Sequence, residues 1–155
     1  MRKRMLVLCV LLCFGITANA YSDIDNQELA NIVSNLTTYR IISGYEDGTF
    51  KPNNNITRAE FAKVICTATF NSDVPQETSH SFGDTIGHWA ENYVNGAQAL
   101  GIINGKSQGV FAPEENITYE QALKMIVVAL GYGEEAISKG GYPKGYINVA
   151  IELGI

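Results

Sequence analysis

The feature that most constrains the fold of this 155-residue chain is an internal repeat. Segment 41–66 returns 61 positions later as segment 102–127, and 11 of the 26 aligned positions are identical without a gap. The same offset places Tyr21 on Phe82 and Asp23 on Asp84. A fixed period of this length is typical of stacked copies of one supersecondary unit, each too small to bury its own apolar face. The repeat therefore predicts a modular surface and not a single catalytic pocket.

The beginning of a third copy follows the two complete ones. Segment 146–155 aligns with segment 93–102 at a shift of 53, and six of the ten positions match. Because the alignment stops where the earlier copies leave their first helix, we expect the sequence to be part of a longer one. The predicted organisation places copy one at 21–70, a polar spacer at 71–81, copy two at 82–131 and the start of copy three at 132–155.

Residues 1–20 have the pattern of a secretory signal peptide. A basic start is followed by an apolar run and by the small-residue cleavage site Ala18-Asn19-Ala20. Its removal takes three basic residues and leaves 8 basic against 16 acidic side chains, a net charge of −8. Such an acidic chain has no general attraction for nucleic acid or anionic lipid, so neither nucleic acid nor membrane is an expected partner. Cys66 would be the one cysteine left, and we predict that it is a buried apolar residue.

Each copy is predicted to fold as two helices joined by a glycine-rich loop, which makes the fold class all-α. In copy two, apolar residues recur at helical spacing from Trp89 to Leu100, and Gly101 ends that helix. A second helix is predicted from Thr118 to Gly131. Copy one follows the same plan, with a first apolar face made of Leu29, Ile32, Val33, Leu36 and Tyr39.

The second helix of each copy carries a start signal. Thr57 and Glu60 form a predicted capping box, and Thr118 with Gln121 repeats it. Arg58 follows directly in the first turn, where its guanidinium would stand beside unpaired helix amides; from the residues alone, a solvated surface side chain and a ligand contact are both open. A guanidinium in that position can hold a carboxylate with two parallel hydrogen bonds.

These motifs resemble the S-layer homology family, and the resemblance covers essentially all of the chain after residue 20. The segments that carry it are Phe82-Gly83-Asp84, His88-Trp89-Ala90, Ile41 to Phe50, Pro52, and Ile56-Thr57-Arg58-Ala59-Glu60-Phe61. The resemblance implies a pseudo-threefold bundle of helix–loop–helix units, with the third unit truncated in this sequence. It also implies a secreted protein of the bacterial cell wall or S-layer, associated with peptidoglycan.

The family's function and binding residues carry over as expectations. Members bind secondary cell-wall polysaccharide non-covalently, often through a pyruvyl carboxylate, in grooves between adjacent copies. The resemblance implies that the polysaccharide-binding residues are Arg58, Trp89, Gly44 and Asp84, with the main groove between copies one and two. No cofactor, metal or catalytic residue is implied. If Arg58 serves only the ligand, we expect Arg58→Ala to leave stability almost unchanged.

Copy two departs from the family motif. Tyr119 replaces the arginine, Glu120 the alanine and Gln121 the glutamate. We therefore expect the groove built on copy two to lack a cation for a carboxylate. The loop around Asp47-Gly48 is not a calcium loop, because Ser43 and Tyr45 stand where oxygen ligands are needed.

Two other functional classes remain open. One is a structural lattice subunit whose repeats only pack. The other is the anchor part of a longer exported enzyme, although the chain itself lacks the spacing of a nucleophile elbow, a phosphate loop or a zinc site, and we predict that it is not an enzyme.

Overall fold

The computed structural model describes residues 21–70, 74 and 81–155. The predicted signal peptide and most of the predicted spacer lie outside the described residues. Within them the chain forms six α-helices and one short 3₁₀ turn at Gly83–Thr85, and no strand. The helices are α1 (Gln27–Thr38), α2 (Arg58–Phe70), α3 (Glu91–Ala99), α4 (Tyr119–Ala129), α5 (Gly133–Ser138) and α6 (Lys144–Leu153). The all-α prediction is confirmed.

Both predicted capping boxes start their helices. The Glu60 amide donates to Thr57 Oγ1 at 3.1 Å, and the Thr57 amide donates to Glu60 Oε2 at 2.8 Å. In copy two the Gln121 amide donates to Thr118 Oγ1 at 3.3 Å, and the side chain of Gln121 returns to the Thr118 amide. The predicted stop at Gly101 is also present, with a φ of +70° that suits glycine.

The core lies between copies. The second helix of copy one, α2, packs on the first helix of copy two, α3, and α4 packs on α6 in the same relation. The larger buried cluster accordingly mixes the two complete copies, with Ala62 and Cys66 from α2 beside Val94 and Ala97 from α3. The copies share their apolar faces, as the repeat predicts. A threefold arrangement needs a third helix pair of this kind, so it stays a prediction.

Helix α1 is less covered than the sequence predicts. Of its predicted apolar face only Val33 is fully buried, while Ile32 is 49% exposed and Tyr39 is 65% exposed. The predicted apolar face of α1 is therefore only partly buried within the described residues. The physical reason is that, in the part of the chain that the structure describes, no second helix packs closely along α1, unlike α3 and α6.

The segment between α4 and α6 contains a helix that the sequence did not reveal. In this glycine-rich segment, Gly133–Ser138 forms α5, which packs on both α4 and α6. Lys139 ends α5, and its ammonium pairs with Glu135 at 2.7 Å and with Glu152 of α6. The pair with Glu152 holds α5 against the last turn of α6, and both helices pack on α4 of copy two.

Candidate functional site

The loop of each copy is tied down by the aspartate that opens the copy. Asp84 Oδ1 accepts from the Phe111 amide at 2.9 Å, and Oδ2 accepts from the Ala112 amide at 2.7 Å. Asp23 makes the equivalent pair of bonds in copy one, and the bond from the Phe50 amide is the largest cause that lowers the pKa of Asp23. The carboxylate of Asp84 therefore shapes a loop.

The glycine in the loop of each copy allows an aromatic ring to pack directly against the backbone. A Cβ atom at Gly44 would lie 2.6 Å from the Thr49 carbonyl oxygen and would collide with the Tyr21 ring, whose hydroxyl accepts from the Gly44 amide at 2.7 Å. At Gly105 a Cβ atom would lie 2.6 Å from the Val110 carbonyl oxygen. The glycine in each copy is thus required by close backbone approach.

The start of α2 is locked into the loop of copy two. The Arg58 amide donates to the Glu115 carbonyl at 2.8 Å, and the Ala59 amide donates to the Pro113 carbonyl at 3.0 Å. The Ile117 amide returns a bond to the Ile56 carbonyl at 3.1 Å. The amides at this helix start are therefore not unpaired as the sequence analysis expected, because carbonyls of copy two accept from them.

The side chain of Arg58 crosses into copy two and is only 5% exposed. Its Nε donates to the Phe111 carbonyl at 2.8 Å, Nη1 donates to Gln121 Oε1 at 2.9 Å, and Nη2 donates to the Asn104 carbonyl at 3.3 Å. The guanidinium carbon also lies 4.5 Å from the centroid of the Phe111 ring. Burial lowers the pKa of Arg58. Arg58 is therefore not a solvated first-turn side chain, which was one of the two readings that the residues alone left open.

Arg58 lines a cavity of about 170 Å³ that we call the second groove. The loop of copy two, helix α4 and the start of copy three form the rest of it. Lys124 of α4 is half-buried, and burial lowers its pKa. The residues that line the second groove are Arg58, Ile102, Asn104, Gly105, Lys106, Gln121, Lys124, Met125 and Tyr142.

The cations of the second groove differ in their partners. Lys106 forms an ion pair with Glu115. Lys124 Nζ lies 5.9 Å from the centroid of the Tyr142 ring, and no carboxylate within the described part of the chain pairs with it. When the Asn104 amide is oriented so that its oxygen faces a donor, it accepts from Lys124 Nζ at 2.6 Å. Lys124 is therefore a partly desolvated cation held by a neutral partner.

A second cavity, which we call the first groove, has a volume of about 450 Å³ and lies against the loop of copy one. Lys63 lines it and donates from Nζ to Ser43 Oγ at 3.2 Å. Tyr45 donates its hydroxyl to Glu60 Oε1 at 3.3 Å, and burial followed by the Glu60 charge raises the pKa of Tyr45. The other lining residues are Ile41, Ile42, Gly44, Phe50, Lys51, Pro52, Asn54, Asn55, Ile56, Val64 and Trp89.

Trp89 reaches the first groove from copy two and is 55% exposed. The preceding residue, His88, holds this turn, since its Nδ1 accepts from the Ala90 amide at 3.1 Å and its Nε2 lies 2.7 Å from Glu114 Oε1. The imidazole and indole ring centroids are 5.3 Å apart. The indole therefore has a fixed position and a face open to a ligand.

The structure separates the residues that the sequence grouped. Gly44 and Trp89 line the first groove, Arg58 lines the second, and Asp84 lines neither. Tyr119, the counterpart of Arg58 in copy two, is 69% exposed and also lines neither groove. The expectation that the groove on copy two lacks a cation was wrong, because its arginine comes from copy one.

Sequence reasoning missed three lining residues that the repeat could have revealed, namely Lys63, Lys124 and Tyr142. Lys63 and Lys124 are identical residues 61 positions apart, and Trp89 is related to Tyr142 by the shift of 53 that aligns α3 with α6. Each groove thus takes a loop and a lysine from one copy and an aromatic residue from the next.

The described residues contain neither a membrane-spanning helix nor a metal-binding cluster. No helix among them is long and apolar enough to cross a membrane. They also contain no cluster of three or more His, Cys, Asp or Glu side chains that could hold a metal ion.

Comparison with known proteins agrees with the repeat. The family model described as S-layer homology domain matches residues 20–62 and 81–123, more than half of the chain. Cell surface glycoprotein 1 of Acetivibrio thermocellus is 34% identical over 127 residues, covering 76% of this chain and 6% of that protein. Middle cell wall protein of Brevibacillus brevis is 32% identical over 131 residues, covering 83% and 12%.

A cellulosome-anchoring protein of Acetivibrio thermocellus is 32% identical over 114 residues, covering 70% of this chain and 25% of that protein. The chain therefore spans between 6% and 25% of the length of these three relatives. Because the family model matches both complete copies, the chain belongs to the S-layer homology domain family.

Proposed function

We propose that this chain is the anchoring module of a secreted bacterial surface protein, and that it binds an acidic cell-wall polysaccharide non-covalently. The observation that carries the proposal is the convergence of Arg58, Lys106 and Lys124 on one cavity between copies. The whole chain has a net charge of −5, so this cluster runs against its overall charge. The names of the relatives, which include a cell wall protein and a cellulosome-anchoring protein, support the location and the anchoring role.

The chemistry of the second groove suits a sugar that carries a carboxylate, such as a pyruvyl group. A guanidinium has five N–H donors, and protein acceptors engage three of those of Arg58. The remaining donors and the Lys124 ammonium can converge on one carboxylate. Charge-assisted bonds of this kind are about twice as strong as neutral ones. An anion would also offset the cost of holding two partly desolvated cations close together.

The first groove contributes an apolar surface to the same function. The exposed face of Trp89 offers a flat area against which a sugar ring can lie, and Gly44 keeps the loop close enough to form the opposite wall. Asp84 acts indirectly in this proposal, since it holds the loop of copy two in place for Arg58 to reach. We propose binding and not catalysis, with the lattice subunit as the alternative that the experiment separates.

Sedimentation with purified wall sacculi tests the proposal. We expect the chain to sediment with intact sacculi and to stay in solution with sacculi stripped of their polysaccharide. Lys124→Gln should weaken sedimentation, whereas Lys144→Gln, which removes the same charge from an exposed position on α6, should not. Equal binding to stripped sacculi, or self-assembly without sacculi, would contradict wall anchoring and favour a lattice subunit.

A further inference from the structure

We propose that Asn104 and Gly105 form a site of spontaneous deamidation, and that this reaction switches off acid recognition in the second groove as the protein ages. The reacting groups are the side-chain amide of Asn104 and the backbone amide of Gly105, in the loop of copy two. The reaction itself needs only these two residues and water. Its effect on binding rests on the proposed function, since it assumes that the second groove holds a carboxylate-bearing sugar.

The sequence contains two Asn-Gly pairs, and the fold places them in opposite environments. Asn104 is exposed and lies in a loop. Asn95 is 2% exposed, and Gly96 lies inside α3, where its amide takes part in the hydrogen bonds of the helix. A glycine after asparagine favours attack on the side chain, because it has no Cβ atom to hinder the approach. Asn104 is therefore the reactive residue, and Asn95 is its internal reference.

The Gly105 amide is free to act as the nucleophile. In copy one the equivalent amide of Gly44 donates to the hydroxyl of Tyr21 at 2.7 Å. The counterpart of Tyr21 is Phe82, whose ring lies against Gly105 but carries no hydroxyl. Within the described part of the chain, the Gly105 amide consequently donates to no acceptor. Because Gly105 is only half-buried, water can take the amide proton.

The second groove polarises the side-chain amide of Asn104. When this amide is oriented to suit its neighbours, Oδ1 accepts from Lys124 Nζ at 2.6 Å and Nδ2 donates to the Ile103 carbonyl at 3.1 Å. An ammonium at Oδ1 withdraws electron density from Cγ and stabilises the oxyanion that forms when Cγ is attacked. The cation that the groove offers to a ligand therefore also promotes the reaction.

Water is the only co-reactant that the step requires. The Gly105 nitrogen loses its proton to water and attacks Asn104 Cγ, so that an N–Cγ bond forms, the Cγ–Nδ2 bond breaks and ammonia leaves with a proton. Water then opens the resulting cyclic imide at either of its two carbonyl carbons. Opening at Cγ gives aspartate, and opening at the former main-chain carbonyl carbon gives isoaspartate.

Both products place a new carboxylate on a cation of the second groove. In aspartate the carboxylate replaces the side-chain amide, next to Lys124. In isoaspartate the former main-chain carbonyl of Asn104 becomes the carboxylate, and in the unmodified chain that carbonyl accepts from Arg58 Nη2 at 3.3 Å. An internal carboxylate compensates the cation and repels a carboxylate on the ligand. Either product should therefore weaken binding of an acidic sugar.

Peptide mapping by mass spectrometry on the full chain tests the reaction. The protein is incubated at mildly alkaline pH, and conversion of each Asn-Gly pair is followed with time beside a synthetic peptide of residues 100–109. We expect Asn104 to convert at least about tenfold faster than Asn95, whose reaction requires α3 to open. An Asn104 that stays intact while the peptide is converted, or that converts no faster than Asn95, would overturn the proposal.

A variant taken from copy one tests the role of the free amide. Phe82→Tyr supplies the hydroxyl that Tyr21 supplies to Gly44, so it should slow conversion of Asn104 by about threefold or more. An unchanged rate in a folded variant would refute the assignment of the nucleophile. If a urea melt shows that Phe82→Tyr is poorly folded, Lys124→Met provides the second test, because it removes the donor at Oδ1 and should also slow the reaction.

Sedimentation with intact sacculi links the reaction to binding. Aged parent protein should lose binding in proportion to the converted fraction, and Asn104→Asp should show the same loss without ageing. Asn104→Ser reproduces Ser43 of copy one, which accepts from Lys63 at 3.2 Å, and it cannot form the imide. This variant should bind as fresh parent does and should keep its binding with age.

Two outcomes distinguish this inference from the proposed function. If the fresh parent sediments but the fully converted protein sediments equally well, the switch is refuted and wall anchoring stands. If the fresh parent does not sediment with intact sacculi, the proposed function is refuted, and the mass spectra alone then decide whether Asn104 is a deamidation site.

Discussion

Replacing Arg58 with alanine should strongly destabilise the protein. Arg58 is 5% exposed, and its guanidinium donates to the Phe111 carbonyl, the Asn104 carbonyl and the Gln121 side chain. Hydrogen bonds that involve a charged group contribute about 1.5–3 kcal/mol each, and such losses are not additive. The truncation also leaves the Phe111 ring without its stacked neighbour and a void between copies. We expect the free energy of unfolding to fall by about 3–5 kcal/mol.

A urea melt followed by circular dichroism measures this change, and the repeat supplies the control. Tyr119 occupies the equivalent position of copy two and is 69% exposed, so Tyr119→Ala should change the free energy of unfolding by less than about 0.5 kcal/mol. An Arg58→Ala variant as stable as Tyr119→Ala would refute the argument, because it would show that the buried contacts of Arg58 contribute nothing net to the interface.

The size of the loss also determines how binding data on Arg58 can be interpreted. Small domains are stable by about 5–15 kcal/mol, so a loss of this size leaves a marginal fold. Weak wall binding by Arg58→Ala would then report unfolding as much as a missing ligand contact. Lys124 is the better residue for testing the second groove, because its ammonium is held by one neutral partner and not by a network.

Three further predictions follow from the described contacts. Burial lowers the pKa of Lys124, so binding of an acidic polysaccharide should weaken as pH rises through that lowered pKa. Over the same pH range the contribution of Lys124 to the free energy of unfolding should become more favourable, because the folded state no longer holds a desolvated charge. Calorimetric titration of the polysaccharide at several pH values measures the binding loss, which Lys124→Arg should remove. Gly105→Ala should lower the free energy of unfolding by about 3 kcal/mol or more in a urea melt, because the new Cβ atom collides with the Val110 carbonyl oxygen. Gly109→Ala is the control, since its Cβ atom meets no neighbour and the variant loses only the strain energy of a positive φ. Burial raises the pKa of Cys66 to about 11, so its thiol should resist alkylation in the native state. The contribution of the thiol to the free energy of unfolding is full below pH 9 and falls by about 2–3 kcal/mol as pH rises from 9 through 11. Urea melts across that pH range should show this loss in the parent and not in Cys66→Ala.

The local chemistry of this chain could be predicted from sequence, because it depends on neighbours a few residues apart. The capping boxes at Thr57 and Thr118 and the helix stop at Gly101 were predicted and are present. The buried state of Cys66 was also predicted. In each case the residue type and its immediate spacing determine the backbone geometry.

The composition of the grooves could not be predicted in the same way, because it depends on which copies meet. Arg58 is next to Thr57 in sequence, yet its guanidinium contacts residues 46 to 63 positions away. The sequence analysis grouped it with Gly44 and Trp89 in a groove between copies one and two, whereas it lines the second groove. Helix α5 was missed for a related reason, since the contacts that stabilise this glycine-flanked segment come from α4 and α6.

The second groove takes its parts from three copies, and this arrangement couples binding to assembly. Arg58 comes from copy one, the loop with Asn104 and the lysine at 124 come from copy two, and Tyr142 comes from copy three. A ligand held by all of these groups binds only when the copies are docked. By linkage, such a ligand at one hundred times its Kd adds about 2.7 kcal/mol to the stability of the docked state. Anchoring to the wall would thus tighten the same interfaces that bury the shared core, and a single isolated repeat would lack both the core and the site.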